Sequence, residues 1–260
     1  MFHQKMRRIS IVCLAAILLC GCTGENSTES TKGSEQADFS MSETFQTENP
    51  KAVNLAGLLQ EKAFGMMVQI RTDQVMGSGC IFSMTEETTT VVTVGHVLEN
   101  AGEVSLTFAD GEMLSDQIPG VKDFKVSLSK TSDLGWITFP TRDIPEKTLA
   151  ICCYAATDKK VLDRLQPQDI LLFMGSLEGV AENAYEGILT DSWIYMEDYG
   201  QHMMLASAHS QTGIIQPGMS GAGVFNSQGY FVGLLSGADT QGNLAVLPLN
   251  VIWAELGDIS

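Results

Sequence analysis

Basic residues are scarce in this 260-residue chain, with 15 Lys and Arg against 31 Asp and Glu and a formal net charge of −16. An acidic chain repels phosphate backbones, so nucleic-acid binding is not expected as the main function. Cysteine is also rare, and six residues are too few for a disulfide scaffold. Neither a His-x-x-x-His nor a Cys-x-x-Cys spacing occurs, and we therefore expect no metal and no cofactor. Hydrophobic residues make up 44% of the chain, which is enough for a packed core.

The N-terminal apolar run is too short to cross a membrane. Residues 9–20 (ISIVCLAAILLC) number 12, whereas a transmembrane helix needs about 20. The run follows a basic start without acidic residues, an order that is typical of a secretory signal. It ends in residues 19–22 (LCGC), which resemble the lipobox of bacterial lipoproteins. We predict a signal peptide over residues 1–21 and lipidation of Cys22; an ordinary signal peptide or a buried helix is the alternative.

The next segment has little that could form a core. Of the 28 residues from 23 to 50, fifteen are Ser, Thr or Glu. Such a segment cannot bury enough apolar surface to offset its ordering entropy. We therefore expect residues 22–51 to be a lipid anchor and flexible linker, which would hold the protein on the extracytoplasmic side of a bacterial membrane. A helical acidic arm is the alternative, which the Ser and Thr content disfavours.

Residues 52–260 are predicted to form one mostly β domain, because short β-like runs recur with turn signals between them. A short helix is predicted at each end, over Ala52–Phe64 and over Val251–Leu256 with Asn250 as its N-cap. About twelve strands without intervening helices indicate barrels or a sandwich. The predicted strands are Met66–Arg71, Cys80–Met84, Thr89–Val94, Val104–Phe108, Phe124–Leu128, Leu134–Phe139, Ile170–Met174, Gly187–Tyr195, Met203–Ala208, Gly221–Phe225, Tyr230–Ser236 and Ala245–Leu249.

A glycine-rich turn with one serine stands out at residues 217–225 (PGMSGAGVF). A serine hydroxyl is a weak nucleophile that needs an adjacent base and donors aimed at the oxyanion that forms on attack. Glycines let the backbone turn tightly, and the N–H groups of Gly218 and Ser220 are the natural pair of donors. Taken alone, this motif favours a plain turn between two strands.

His96 supplies the base that Ser220 would need, since neutral imidazole can take and return a proton near neutral pH. It lies in residues 93–97 (TVGHV), at the end of an apolar run. His209 is the rival base. Asp133, which opens a predicted strand, would accept the imidazole Nδ1–H and fix its tautomer. Chemistry alone leaves other acids open, namely Asp110, Asp123 and Glu99.

The order of these residues along the chain discriminates among hydrolase folds. The α/β-hydrolase order places a histidine after the serine, and here the last histidine, His209, precedes Ser220. A subtilisin order needs an acid before the histidine, for which Asp73 could serve, but the alternating helices of that fold are missing. The order His96, Asp133, Ser220 is the one found in the chymotrypsin class.

The domain resembles the trypsin-like (chymotrypsin-clan) serine proteases, in the bacterial branch that includes the periplasmic heat-stress proteases. The resemblance covers roughly residues 65–250 and rests on motifs at 77–82 (GSGCIF), 93–97 (TVGHV), 132–134 (SDL), 217–221 (PGMSG) and 226–233 (NSQGYFVG). It implies an all-β fold of two antiparallel six-stranded β-barrels, with a short C-terminal helix and the site between the barrels. It also implies His96 as general base, Asp133 as its orienter, Ser220 as nucleophile, and Gly218 with Ser220 as the oxyanion hole.

Three departures from the family pattern are visible. Gly95 stands where Ala is common, Ala222 stands where a second Gly is common, and Val97 follows the histidine where many animal members have a cysteine that pairs with one near Cys80. We therefore expect Cys80, Cys152 and Cys153 to be buried thiols.

The resemblance also implies which residues line the pocket for the substrate side chain. They are Ile214, Ser236, Gly237 and Ala238, and they favour uncharged, small or apolar side chains, although Asp239 lies close by. We expect activity without cleavage of a propeptide.

These observations predict a cell-surface serine endopeptidase that acts on peptides or proteins through an acyl-enzyme. The alternative is a catalytically silent lipoprotein that uses the same fold to bind peptides or a protein partner. A solute-binding lipoprotein is a weaker third interpretation. The sequence does not indicate an oligomeric state.

Overall fold

The computed structural model describes residues 52–53, 63–117, 124–177, 180–208 and 216–257. The strands in these ranges are β1 Ala52–Val53, β2 Met67–Thr72, β3 Met76–Met84, β4 Thr88–Thr93, β5 Val104–Thr107, β6 Met113–Ser115, β7 Lys125–Leu128, β8 Gly135–Pro140, β9 Tyr154–Ala155, β10 Ile170–Leu177, β11 Val180–Met196, β12 Gln201–Ala208, β13 Gly223–Asn226, β14 Phe231–Ala238 and β15 Asn243–Pro248. The helices are α1 Gly95–Leu98, α2 Glu146–Ile151, α3 Val161–Arg164 and α4 Leu249–Leu256, with 3-10 turns at Ala63–Met66 and Thr141–Asp143.

The second half of the chain forms a closed six-stranded barrel. Its strands follow the order β10-β11-β12-β15-β14-β13, and all the pairs are antiparallel. Its core holds three fully buried phenylalanines, Phe173, Phe225 and Phe231. The rings of Phe225 and Phe231 meet edge to face, with their centroids 5.6 Å apart. The prediction of a six-stranded barrel is confirmed for this half.

The first half is a curved seven-stranded antiparallel sheet in the order β6-β5-β2-β3-β4-β8-β7. Within the described residues its two edge strands, β6 and β7, do not pair with each other, so it is a half-barrel. The predicted all-β, two-unit chymotrypsin-like fold is confirmed, but within the described residues the first unit is a seven-stranded half-barrel where a closed six-stranded barrel was expected. Strand β8 alternates between buried and half-exposed side chains, as expected of a sheet with one face on the core. In contrast, β3 is buried along almost its whole length, because the barrel covers its second face.

One hydrophobic core joins the two halves. Phe82 of β3 packs edge to face on Phe231 of β14, with ring centroids 5.9 Å apart. The two rings belong to different sheets, so this contact fixes the half-barrel against the barrel. The crevice between the two units is where the candidate site lies.

All twelve predicted strands are present, and the errors lie at the ends of the domain and in short elements inside it. Ala52 and Val53, predicted as helix, form β1, which pairs in parallel with β9, while residues 54–62 lie outside the described part. The last helix is present but begins at Leu249, so Pro248 and not Asn250 occupies its N-cap position. Short strands β6 and β9 were not predicted.

The N-terminal predictions are not tested by the structure. The signal peptide over residues 1–21, Cys22 and the linker to residue 51 lie outside the described residues. Among the residues that are described, no helix is long and apolar enough to span a membrane.

The three cysteines of the domain are buried thiols, and none forms a disulfide. Burial raises the pKa of Cys80 well above its usual range, and the neighbouring Cys153 adds to the effect. Thiols of raised pKa are poor nucleophiles at neutral pH. Cys80 is therefore a core residue and no rival to Ser220.

Candidate active site

His96 is presented by a single helical turn directly after β4. In α1 the side chains of Val97 and Leu98 are buried, and they anchor the turn in the core. The imidazole is 31% exposed, and its Nδ1 faces the carboxylate of Asp133. The apolar neighbours thus fix the backbone while they leave the ring accessible to a reacting group.

Asp133 holds the histidine at two points. Its Oδ1 accepts the backbone N–H of His96 at 2.9 Å, and its Oδ2 lies 3.0 Å from the imidazole Nδ1. The buried hydroxyl of Ser236 donates to the same Oδ2 at 2.5 Å. A carboxylate that receives these donors favours the tautomer with the proton on Nδ1, which leaves Nε2 as a proton acceptor.

Gly95 allows Asp133 to come this close. A Cβ at position 95 would lie 3.2 Å from Asp133 Oδ1 and 3.3 Å from the backbone nitrogen of Leu134. Both distances are tighter than ordinary van der Waals contact, so an alanine here would press on the loop that carries the acid. The departure from the family pattern at this position thus has a local steric reason.

The loop of Asp133 is closed by hydroxyl groups and tied to the C-terminal helix. Ser129 Oγ accepts the N–H groups of Thr131 and Ser132, both at 3.1 Å. Glu255 of α4 accepts hydrogen bonds from Ser129 Oγ at 2.6 Å and from Thr131 Oγ1 at 2.8 Å. These two hydrogen bonds lower the pKa of Glu255. The carboxylate of α4 therefore helps to set the conformation of the loop that places Asp133.

Ser220 lies between two glycines, each of which is the third residue of a four-residue turn. The N–H of Met219 donates to Gln216 at 3.1 Å, and the N–H of Ala222 donates to Met219 at 2.8 Å. In each four-residue turn the third residue is a glycine with positive φ, +99° at Gly218 and +85° at Gly221. This is the pattern of type II turns, in which a side chain at the third position is strained. Ser220 is the second residue of the latter turn.

Two backbone N–H groups of this segment stay available. Those of Met219 and Ala222 are used within the turns, and that of Gly221 donates to Leu235 at 2.8 Å. The N–H groups of Gly218 and Ser220 donate to no acceptor in the part of the chain that is described. These are the two donors that the sequence predicted for an oxyanion hole.

Strand β3 brings the Ser220 turn beside the His96 turn. The N–H of Ser78 donates to the carbonyl of Ser220 at 2.7 Å. A Cβ on the preceding Gly77 would lie 2.7 Å from a methyl group of Val97 and 3.1 Å from the same Ser220 carbonyl. The two turns therefore contact the same glycine. Within the described residues Ser220 and His96 share no hydrogen bond, and in unliganded enzymes such bonds are often long.

The alternative acids and bases do not join this group where they are described. Asp110 accepts a hydrogen bond from Thr148 at 2.9 Å, and Asp73 accepts the N–H of Gly102 at 2.9 Å. Glu99 is exposed. Two further alternatives, Asp123 and His209, lie outside the described residues.

The predicted pocket residues are only partly described. Ile214 lies outside the described residues, while Gly237 and Ala238 are half-buried on β14. Ser236 is 1% exposed, and its hydroxyl points to Asp133. Its contact with the acid had no signal in the sequence. The assignment of these residues to substrate binding stays a prediction.

Asp239 is engaged in its own turn. Burial opposes its ionisation, but hydrogen bonds from Asn243, Gln241 and Gly242 outweigh this effect and lower its pKa. The side-chain amide of Asn243 donates at 2.6 Å, and the backbone N–H groups of Gln241 and Asn243 each donate at 2.8 Å. The carboxylate thus stabilises the β14–β15 hairpin.

The fold is a barrel packed on a half-barrel, which is the chymotrypsin-like double-β architecture. The imidazole held by Asp133 belongs to the half-barrel, and the glycine-rich turn of Ser220 belongs to the barrel. The chain belongs to the family of the trypsin-like peptidase domain, whose model matches residues 77–234. This range includes all three residues of the predicted triad.

A curated relative is HhoB of Synechocystis sp., whose name places it provisionally among the serine proteases. It is 25% identical over 179 residues, which cover 68% of this chain. The chain spans only 38% of the length of HhoB.

Solved structures share the fold at low identity. The HtrA-type protease AlgW, solved with a tripeptide, superposes with a TM-score of 0.55 at 19% identity, over 73% of this chain and 58% of that one. The inactive form of a serine-to-alanine mutant of Rv3671c from M. tuberculosis H37Rv superposes with a TM-score of 0.53 at 15% identity, over 75% of this chain and 86% of that one. At these identities the likeness shows the architecture.

Proposed function

We propose that this chain is a serine endopeptidase that hydrolyses peptide bonds through Ser220, His96 and Asp133. The observation that carries the proposal is the imidazole of His96, held through Nδ1 by Asp133 beside a turn with two N–H donors that have no acceptor within the described residues. A nucleophile, a base, an orienter of that base and an oxyanion site are the parts that acyl transfer needs.

The reaction would proceed by acylation and deacylation. Ser220 Oγ attacks the scissile carbonyl while its proton passes to Nε2 of His96, and the negative oxygen of the tetrahedral intermediate accepts the N–H groups of Gly218 and Ser220. The C–N bond then breaks, and His96 gives its proton to the leaving amine. A water molecule attacks the resulting ester by the same route in reverse, with His96 first as base and then as acid.

We further propose that the enzyme acts outside the cytoplasmic membrane on peptide or protein substrates. Support comes from the sequence of residues 1–22, which has the charge, the apolar length and the cysteine of a lipoprotein signal. Substitution of Cys22 by Ala should release the protein from the membrane fraction and abolish incorporation of a labelled fatty acid. Unchanged lipid labelling of this variant would contradict the anchor.

A catalytically silent, peptide-binding relative is the second candidate. The observation that favours it is that Ser220 and His96 share no hydrogen bond within the described residues. Such a protein would bind peptides in the crevice without forming an acyl-enzyme.

A fluorophosphonate probe separates the two candidates, because it reacts covalently only with an activated serine. The wild-type protein should be labelled in a one-to-one ratio, and Ser220→Ala should not be labelled. The matched control is Ser227→Ala, since Ser227 is an exposed serine in the next turn of the chain. An unlabelled wild-type protein, or equal labelling of Ser220→Ala, would refute the enzymatic proposal.

A further inference from the structure

Ser78 is a fully buried polar residue that touches both halves of the candidate site. Its N–H donates to the carbonyl of Ser220 at 2.7 Å, and its hydroxyl donates to the carbonyl of Gly218 at 2.8 Å. Its own carbonyl accepts a hydrogen bond from the hydroxyl of Thr93 at 2.7 Å. All of these bonds run to residues that are distant in sequence.

The two carbonyls that Ser78 holds belong to Gly218 and Ser220, whose N–H groups are the proposed oxyanion donors. Gly218 and Ser220 are two residues apart, so Ser78 holds the segment between them at both ends. An oxyanion hole works only if its donors lie about 2.7–3.1 Å from the developing charge. A misplacement of about 1 Å can lower a rate about 100-fold. A residue that fixes this segment therefore affects the transition state more than the bound substrate.

Thr93 extends the same contact to the base. It is the last residue of β4, three residues before His96, and it is fully buried. Because its hydroxyl binds the carbonyl of Ser78, a single residue of β3 connects the strand that leads to His96 with the turn that carries Ser220. The base and the nucleophile belong to different units of the fold, so their separation depends on such a connector.

Close packing around Ser78 leaves little freedom for other arrangements. A Cβ on Gly221 would lie 2.0 Å from the carbonyl oxygen of Ser78 and 2.2 Å from the hydroxyl of Thr93. On the other side, a Cβ on Gly175 would lie 2.5 Å from the sulfur of Met219 and 2.9 Å from the hydroxyl of Ser78. Glycines on both sides let the backbones approach, and the serine hydroxyl occupies the remaining gap.

We propose that Ser78 is a positioning residue of the peptidase: through Thr93 and the carbonyls of Gly218 and Ser220 it sets the oxyanion donors and the nucleophile relative to His96. The inference rests on the proposed function. It adds a residue without contact to substrate, whose hydroxyl is nevertheless required for efficient acyl transfer.

The first test is Ser78→Ala, which removes the bond to Gly218 but keeps the backbone bond to Ser220. We expect kcat to fall about 10- to 100-fold, less than the full loss of an oxyanion donor, while KM stays within about twofold. Binding of a peptide boronate, which forms a tetrahedral adduct on the serine, should weaken by the same factor as kcat/KM. A merely structural role would lower the melting temperature without this selective loss.

The second test uses a matched pair of isosteric substitutions. Thr93→Val removes the bond to the Ser78 carbonyl and should lower kcat in the same way. Thr89→Val is the control, since Thr89 is an equally buried threonine of the same strand, whose hydroxyl binds that of Thr141 at 2.9 Å away from the site. We expect both to lose stability, and only Thr93→Val to lose kcat. This pair also keeps the inference testable if Ser78→Ala does not fold.

The outcomes separate the two levels of the proposal. If the wild-type protein turns over peptides and both Ser78→Ala and Thr93→Val match it in kcat and in boronate affinity, the inference on Ser78 is wrong and the proposed function stands. If only KM rises in these variants, Ser78 acts on substrate binding and the inference is also wrong. If the wild-type protein shows neither turnover nor probe labelling, the proposed function fails and this inference fails with it.

Discussion

Replacement of Asp133 by asparagine is the most direct test of the acid–base pair. In the structure the carboxylate only accepts: Oδ1 receives the backbone N–H of His96, and Oδ2 faces both His96 Nδ1 and the hydroxyl of Ser236. An asparagine side chain has one oxygen and one NH₂ group in these two places. One of its orientations sets the NH₂ against the backbone N–H of His96, and the other sets it against the imidazole Nδ1.

The second orientation has the lower energy cost, because the imidazole can change tautomer and the backbone N–H cannot. Nδ1 then accepts from the asparagine, and the proton moves to Nε2, where it blocks transfer from Ser220. The same exchange of acid for amide in a chymotrypsin-class triad lowers kcat about 10⁴-fold. We expect a loss of about 10³- to 10⁴-fold here, equal to roughly 4–5.5 kcal/mol in activation free energy, with KM almost unchanged.

The assay is steady-state hydrolysis of a fluorogenic peptide near neutral pH, together with the rate constant for fluorophosphonate labelling. The rate of hydrolysis and the rate of labelling should fall together, since both need a serine whose proton can pass to an Nε2 that carries none. Asp110→Asn is the matched control, because Asp110 is also a hydroxyl-bonded carboxylate but lies away from His96. If Asp133→Asn keeps kcat within about tenfold of the wild type, the assigned tautomer and the role of Asp133 are wrong.

Three further substitutions test the packing and the network around the site. Gly221→Ala should lower the melting temperature strongly, because its methyl group would overlap the Ser78 carbonyl at 2.0 Å; Gly200→Ala, also at positive φ but with open space around it, should lose only about 1–2 kcal/mol. Glu255→Gln should lower the urea midpoint near neutral pH: its folded-state pKa is lowered, so its stabilising effect is present above the ordinary value of 4.5 and disappears as the pH falls below the lowered value. The two urea midpoints should therefore converge in acid, and a constant difference would contradict the assigned hydrogen bonds. Phe231→Ala should lose about 3–5 kcal/mol in denaturant unfolding, since the ring is fully buried between two other rings; a loss below 1 kcal/mol would contradict the shared core.

Much of the fold was predictable because strands with one buried face alternate in sequence. Strand β8 (GWITFP) shows this alternation in its letters and in its burial. Strand β6 was missed because it has three residues and its Met113 is 56% exposed, so no period is visible. That the first unit is a half-barrel within the described residues could not be predicted, since strand register and shear decide whether a sheet closes, and composition does not encode them.

The site was predictable only where a residue type has a chemical meaning. His96 and Asp133 were found as an imidazole and an acid in a usable order, and the structure joins them at 3.0 Å. Ser78 and Ser236 had no such signal, because buried serines that bind backbone or carboxylate look like any other serine of a strand. The hints for Ser78 were the glycines on either side of it and its place in the motif at 77–82 (GSGCIF).

The two buried serines act across the crevice in opposite directions. Ser78, from the half-barrel, holds the turn of the barrel that carries Ser220, and Ser236, from the barrel, holds Asp133, which belongs to the half-barrel. Each unit therefore supplies a hydroxyl group that fixes a predicted catalytic residue of the other. A slide of the barrel against the half-barrel would break both sets of hydrogen bonds at once, and an intramolecular hydrogen bond contributes about 0.5–1.5 kcal/mol to stability. The predicted acid, base and nucleophile are thus tied to one another as a block, although no two of them lie close together in the sequence.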